Sequence, residues 1–244
     1  MGTLVTLRVE ATSEALALAG LEAAWGAILE VEGRMHPMRP GSDLAAMNAA
    51  PLHAYVAAHP LTLQLLRLAQ DMYRASGGVF DPCLPQAVGH FEDLQLLDGG
   101  VRCRRRLHMD LGGIAKGFAV DRAIAAARAA GCSAGGVNAG GDLRVFGPQA
   151  EDLRLGHRGG RAVRLKDAAL AVSAIGPGAP PEHRGYYCRI EGTTRRCDAA
   201  AVVAPSAALA DALTKCALFM PEERAARLCA ARGAQLLPAA WLCP

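Results

Sequence analysis

The first twelve residues, MGTLVTLRVEAT, alternate between apolar and polar positions, which predicts an opening strand with one buried face. The period then lengthens. From Ser13 to about Val31 the spacing of Leu16, Leu21, Trp25, Ile28 and Leu29 predicts a helix with these residues inward, ending near Gly33. The Pro/Gly-rich stretch MHPMRPGSDLAAMN reads as a loop followed by a short helical turn. Pro60 opens a second amphipathic helix, with Leu61, Leu65, Leu68 and Met72 on one stripe and Gly77 and Gly78 closing it.

Beyond the turn-rich GGVFDPCLPQAVG, residues Arg105 to Gly147 read as a strand end, a glycine turn, a helix and a strand pair. Val120, Ile124 and Ala127 mark the inner face of that helix, and Gly131 is placed to cap it. From Leu153 to Cys197 short β pieces, including AALAVSAIG and YYCRIEG, are joined by Gly/Pro loops. Ser206 is the expected N-cap of a helix through Phe219, and Pro221 starts a last helix that stops at Gly233. Strands and helices interleave irregularly, without an internal repeat or a low-complexity linker. The pattern predicts one α+β domain over residues 1–244, two-lobed, with a cleft between the lobes.

Composition narrows the function classes. With 244 residues, 52% of them hydrophobic and 20% charged, the chain is long enough to bury a large core. A formal charge of +3 gives no support to a polyanion-coating protein, so nucleic acid is not an expected partner. No run approaches the roughly 20 apolar residues of a membrane span. Eight scattered cysteines without a Cys-x-x-Cys pair read as reduced apolar fillers of a cytoplasmic protein. The opening has neither a basic n-region nor a long apolar h-region, so the expected compartment is the cytoplasm, or the periplasm if the native precursor is longer. The seven histidines form no metal-binding pair, and no Gly-x-Ser-x-Gly elbow occurs. Only three of the twenty-six basic residues are lysines, Lys116, Lys166 and Lys215. Two of them fall in the segments that carry candidate chemistry.

The first such segment is DLGGIAKGFAVD, residues 110–121. Its two glycines let backbone pass close to a ligand, its helix start offers amides to an anion, and Lys116 adds a point charge. That is phosphate-site chemistry without a P-loop, and an ordinary strand-to-helix turn with a solvated lysine is the competing reading. In the second segment, NAGGD, the glycine pair marks either a hairpin turn or a close ligand approach. The third, ADALTK, puts Asp211, Thr214 and Lys215 on one helix face. They either reach a hard cation or form an Asp-to-Lys ion pair on a surface helix. In the fourth, GGVFDP, Asp81 either accepts hydrogen bonds from a ligand or caps its own turn.

In this order the segments resemble the ApbE-type flavin transferases, the FAD:protein FMN transferases, over nearly the whole chain. The match runs from Met1-Gly2-Thr3 through RPGSDLAAMN, GGVFDP, DLGGIAKGFAVDRA and NAGGDLRVFG to SAALADALTK. The resemblance implies an ApbE-like α+β fold with mixed sheets and a cleft for the flavin nucleotide. It implies a bacterial enzyme that uses Mg²⁺ to cleave the pyrophosphate of FAD, moves FMN onto a Thr or Ser hydroxyl of an acceptor flavoprotein, and releases AMP. Carried over by position, the carbonyl of Gly113 and the carboxylate of Asp211 match metal ligands, while Lys116, Val79, Phe80, Asp81 and Met1 match flavin-nucleotide contacts.

The chain also departs from that pattern. Met38 stands where the family usually has an aromatic residue to cover a flavin ring. Lys215 stands where many members carry a metal-ligating Thr, leaving the hydroxyl of Thr214 as the nearest substitute. The family's His-Ile-x-Asp-Pro segment is replaced by YYCRIEGTTRRC, with His183 upstream as the candidate base. These departures define the alternative: an ApbE-like paralogue that binds flavin or nucleotide without transferring it.

Overall fold

Alternating burial along the strands decides the layers of this protein. The computed structural model describes residues 3–84, 87–155, 161–174 and 196–242. Along these the strands are β1 (Val5–Glu10), β2 (Tyr55–Ala57), β3 (Leu94–Leu97), β4 (Gly100–Cys103), β5 (Ala134–Ala139) and β6 (Asp142–Phe146). They continue as β7 (Glu151–Arg154), β8 (Ala162–Leu165), β9 (Ala169–Ala174), β10 (Ala199–Ala204) and β11 (Gln235–Leu236). The helices are α1 (Glu14–Met35), α2 (Asp43–Ala49), α3 (Pro60–Ser76), α4 (Ala115–Ala129), α5 (Ala207–Phe219) and α6 (Glu222–Ala231).

The main sheet has the order β1-β5-β6-β9-β10-β11, a second sheet has β2-β4-β3, and β7 and β8 form a ribbon. The α+β class holds. Every ladder among the described residues is antiparallel, so the sheets are not mixed in strand direction as the sequence led us to expect. The cause is local at β5 and β6, where Gly140 and Gly141, with φ of 65° and 96°, turn the chain back on itself in two residues.

Both faces of the main sheet are covered, which explains why β9 and β10 are apolar at nearly every position. Ala169 and Ala171 of β9 and Ala200, Val202 and Ala204 of β10 enter the large core beneath α1, α4 and α5. The alternate residues Leu170 and Ala201 join Val145, Leu155, Val163, Leu165 and Leu237 in a smaller core on the opposite face. The same period puts Asp142, Arg144 and Phe146 of β6, and Ser173 of β9, on the helix side. Polar residues thus enter a mostly apolar layer at positions fixed by strand parity.

Local signals set the helix ends. Ser206 accepts from Leu209 N at the start of α5, and Gly77, with φ of 66°, closes α3. The inward stripe of α1 differs from expectation. Gly20, Ala24, Ile28, Val31 and Met35 are buried, while Leu16, Trp25 and Leu29 are exposed, and the helix runs through Gly33 to Met35. Small residues are needed there because α1 lies close on the end of α4 and the turn after it: a Cβ on Gly20 would stand 2.2 Å from Cys132 Sγ and 3.9 Å from Ala127 O. In α3, Leu68 is likewise outward, and Leu66 and Ala69 complete the buried face. The six described cysteines are free thiols, and no described helix is long and apolar enough to cross a membrane.

The tightest joint in the fold is between α4 and the start of α5. Asp121 of α4 accepts from Ala207 N and Ala208 N, each at 2.9 Å, and pairs with Arg144 Nη1 at 2.6 Å. One carboxylate therefore caps α5 and anchors β6. Beside it a Cβ on Gly117 would meet Ala207 O at 2.2 Å, a backbone atom with no freedom to rotate away. Gly117→Ala is expected to destabilise the protein by about 1–3 kcal/mol through overpacking, lowering Tm by roughly 4–10 °C. A thermal melt with unchanged Tm would show that the two helices separate without cost.

Candidate functional site

The DLGG turn before α4 is held from two sides before any ligand is considered. Asn48, at the end of α2, uses its whole amide on Met109: Nδ2 donates to the carbonyl at 2.9 Å, and Oδ1 accepts from the backbone N–H at 2.8 Å. Asp110 N donates to Pro82 O at 2.8 Å, and Asp110 Oδ1 accepts from Gly112 N at 2.7 Å, closing an Asx turn. The Asn that ends RPGSDLAAMN is therefore a positioning residue for the turn that carries Lys116.

The GGVFDP segment lies behind this turn. Val79 and Phe80 are buried, and the Phe80 ring is 3.5 Å from where a Cβ on Gly113 would stand. Asp81 is buried with both oxygens engaged, Oδ1 by Cys83 N and Oδ2 by His90 Nδ1, each at 2.9 Å. Its carboxylate caps its own turn and braces His90.

At the centre of the site, four charged side chains from three elements converge. Lys116 Nζ is 2.8 Å from Asp142 Oδ2, 3.6 Å from Asp211 Oδ2 and 3.3 Å from the Gly112 carbonyl. Lys215 Nζ is 2.5 Å from Asp211 Oδ1, 2.6 Å from Ser173 Oγ and 3.4 Å from Thr214 Oγ1. Thr214 Oγ1 also donates to the carbonyl of Asp211 at 2.7 Å and stands 2.7 Å from Ser173 Oγ. Gly117 N donates to Asp211 Oδ2 at 3.3 Å, so the anion received by the first turn of α4 is the protein's own carboxylate.

Nearly all of this is buried. Asp211 is fully buried and Lys215 nearly so, along an α5 whose residues are almost all inside, whereas Lys116 keeps about a quarter of its side chain exposed, at 28%. The Asp-to-Lys ion pair of the sequence reading is present, in the core rather than on a surface helix. Burial alone would raise the pKa of Asp211, but the ammonium of Lys215, then that of Lys116, and the hydrogen bonds from Lys215 and Gly117 outweigh it and hold the carboxyl below its ordinary range.

Outside the cluster lies a cavity of about 510 Å³, within the range of small-molecule sites. Lys116, Gly112 and Asp110 form its polar end, and Val31, Met35 and Met38 contribute apolar wall. Met38 is largely exposed on the rim. Met1 and His183 lie outside the described residues.

Magnesium prefers near-octahedral oxygen coordination at ~2.0–2.1 Å. The side-chain oxygens that the resemblance offers are already committed. Asp211 Oδ1 and the Thr214 hydroxyl surround the Lys215 ammonium, and Asp211 Oδ2 faces Gly117 N and Lys116. Among the described residues no group of three or more His, Cys, Asp or Glu side chains converges as a metal site. As these side chains stand, they do not fit a magnesium ion.

Two members of the cluster escaped sequence reasoning. Asp142 ends the NAGGD segment, whose glycines do form a hairpin turn, but its partner Lys116 comes from a distant helix. Ser173 sat unremarked in an apolar run, and only strand parity points it toward α5.

The ApbE family model matches residues 1–92 and 86–237. Among solved structures, the ApbE protein of Thermotoga maritima is similar with a TM-score of 0.82 and 22% identity, over 97% of this chain and 90% of that one. The apo form of the Pseudomonas stutzeri flavinyl transferase ApbE gives a TM-score of 0.78 and 19% identity, over 97% and 89%. The flavin transferase ApbE from Vibrio cholerae gives 0.76 and 20%, over 97% and 90%. At these identities the likeness shows the fold. No curated protein matches the sequence.

Asp142 makes the cluster sensitive to pH. Burial first, then the charge of Asp211, push its pKa up from 3.8 to about 6 against the opposing pull of Lys116 and Lys215. The fold thus favours the protonated acid, a contribution fully present below the unfolded pKa and lost as pH rises through about 6, on the order of 3 kcal/mol. Asp142→Asn removes this titration. Denaturant unfolding is expected to show the variant gaining on the wild type between about pH 4 and about pH 7. A stability difference that stays flat across that window contradicts the assignment.

Proposed function

Because the chain belongs to the ApbE family, we propose that it is a flavin transferase, an FAD:protein FMN transferase of a single domain over residues 1–244. The observation that carries this reading is Lys116, held by Asp142, Asp211 and the Gly112 carbonyl at the polar end of the 510 Å³ cavity. In this reading FAD is the substrate. Its pyrophosphate lies across the Gly112–Lys116 turn, and a flavin ring rests against the apolar wall near Met35 and Met38.

The chemistry is phosphoryl transfer. A Thr or Ser hydroxyl oxygen of an acceptor flavoprotein forms a bond to the FMN phosphorus while the bond from that phosphorus to the bridging oxygen breaks. AMP leaves with the bridging oxygen, and the hydroxyl proton passes to a base, a role we assign to His183. Lys116 offsets the charge of the pyrophosphate and of the leaving AMP. Val79, Phe80 and Asp81 support the nucleotide turn from behind, and Met1 remains a proposed flavin contact. Magnesium, with the Gly113 carbonyl and Asp211 as its ligands and Thr214 as the nearest substitute hydroxyl, is what the resemblance implies but not part of this reading, because Lys215 engages the side-chain oxygens of Asp211 and Thr214.

Lys215 also favours a second reading, that the chain binds FAD without transferring FMN. An ammonium already neutralised by Asp211 offers less to a developing phosphate charge than a divalent ion. The two are separated by incubating the protein with FAD and a flavodomain bearing the acceptor Thr, scoring covalent flavin by in-gel fluorescence and AMP by chromatography. Transferase activity predicts both products, and Lys116→Met is expected to cut AMP release about a hundredfold while the variant still melts cooperatively. Bound FAD without AMP supports the second reading. Absence of FAD binding removes both.

A further inference from the structure

The geometry around Asp211 points to Lys215 as a fixed internal cation that takes the place of a divalent metal, so that this site works without one. The nucleotide part of this inference rests on the reading above; the metal part does not. Lys215 Nζ has three oxygens of two types around it, the carboxylate of Asp211 at 2.5 Å and the hydroxyls of Ser173 and Thr214 at 2.6 and 3.4 Å. A carboxylate and hydroxyls are the donors a hard cation would use, and here they serve an ammonium. Only 5% of the Lys215 side chain is exposed. Removing either member of the pair strands the other in a low-dielectric interior.

Two further features build the lysine in. Its stem packs against Gly113: a Cβ there would stand 3.4 Å from Lys215 Cγ and 3.7 Å from Cε, in van der Waals contact with the lysine. The local charges also balance, with Lys116 and Lys215 against Asp142 and Asp211. A divalent ion added to this set would face two ammonium groups and find both oxygens of Asp211 engaged. In a metal-bound arrangement the ion would both orient the carboxylate and supply positive charge beneath the pyrophosphate. Lys215 does the first fully and the second with one charge. It is a positioning residue, acting through Asp211 on the first turn of α4 and on Lys116.

The test begins with manganese as the probe, titrated into the full metal-free chain with free Mn²⁺ read by electron paramagnetic resonance. The wild type is expected to show no stoichiometric site, and Lys215→Thr is expected to gain one, at least about tenfold tighter than anything in the wild type. A single wild-type site that excess Mg²⁺ displaces and Asp211→Asn abolishes would overturn the inference, whether or not Lys215→Thr folds. Calorimetry with FAD in EDTA or in Mg²⁺ gives the second readout. Wild-type affinities are expected to agree within about twofold, and a Mg²⁺-induced tightening of about tenfold or more would also overturn it. If FAD binds in neither buffer, the flavin reading fails, and the manganese titration still decides what Lys215 does.

Discussion

A fully buried carboxylate has to be matched on both oxygens, and in this protein that demand falls on Asp211. Lys215 answers it from one turn along the same helix, Gly117 N from the first turn of α4, and Lys116 from beside the cavity. Each answer fixes another element. Lys116 draws in Asp142 from β6, and Lys215 draws in Ser173 from β9. Asp121 adds a second tie between the same partners through Arg144 and the capped start of α5. The site is thus also the joint where α4, α5 and the main sheet are locked together, and changes to its charges should appear in stability as well as in activity.

Much of this was legible in the sequence where the cause is local. The ends of α3 and α5 follow from Gly77 and Ser206, which satisfy backbone groups within one turn of themselves. The hairpin after Asn138 follows from Gly140 and Gly141, whose positive φ the tight turn requires. Where the cause is distant, sequence reasoning misjudged it. Periodicity put Trp25 and Leu29 inside α1 because they are large and apolar, but the close approach of α1 to α4 selects small residues such as Gly20 and Ala24. Asp142 was hidden for a related reason: its segment accounts for a hairpin completely, and nothing local announces a lysine from another helix.

The resemblance identified the family, and the structure shows what several of the residues it singled out contact. Asn48 braces the DLGG turn through the backbone of Met109, and Asp81 caps its own turn through Cys83 N. Asp211, read as a ligand for a metal, is a ligand for Lys215. The fold shared with flavin transferases fits the pyrophosphate reading of the cavity, and the buried ammonium of Lys215, which does not line that cavity, stands with Met38 and the replaced His-Ile-x-Asp-Pro segment among the departures of this chain.

The central claim, that the Asp211 and Lys215 charges form one interdependent unit, is tested most directly by a double-mutant cycle. Unfolding free energies of the wild type, Asp211→Asn, Lys215→Met and the double variant isolate the coupling between the two side chains. The account predicts a coupling of at least about 2 kcal/mol, with each single change costing more than its share of the double because it strands a buried partner. A coupling below about 0.5 kcal/mol would contradict it, showing that the two groups are buried together without depending on one another.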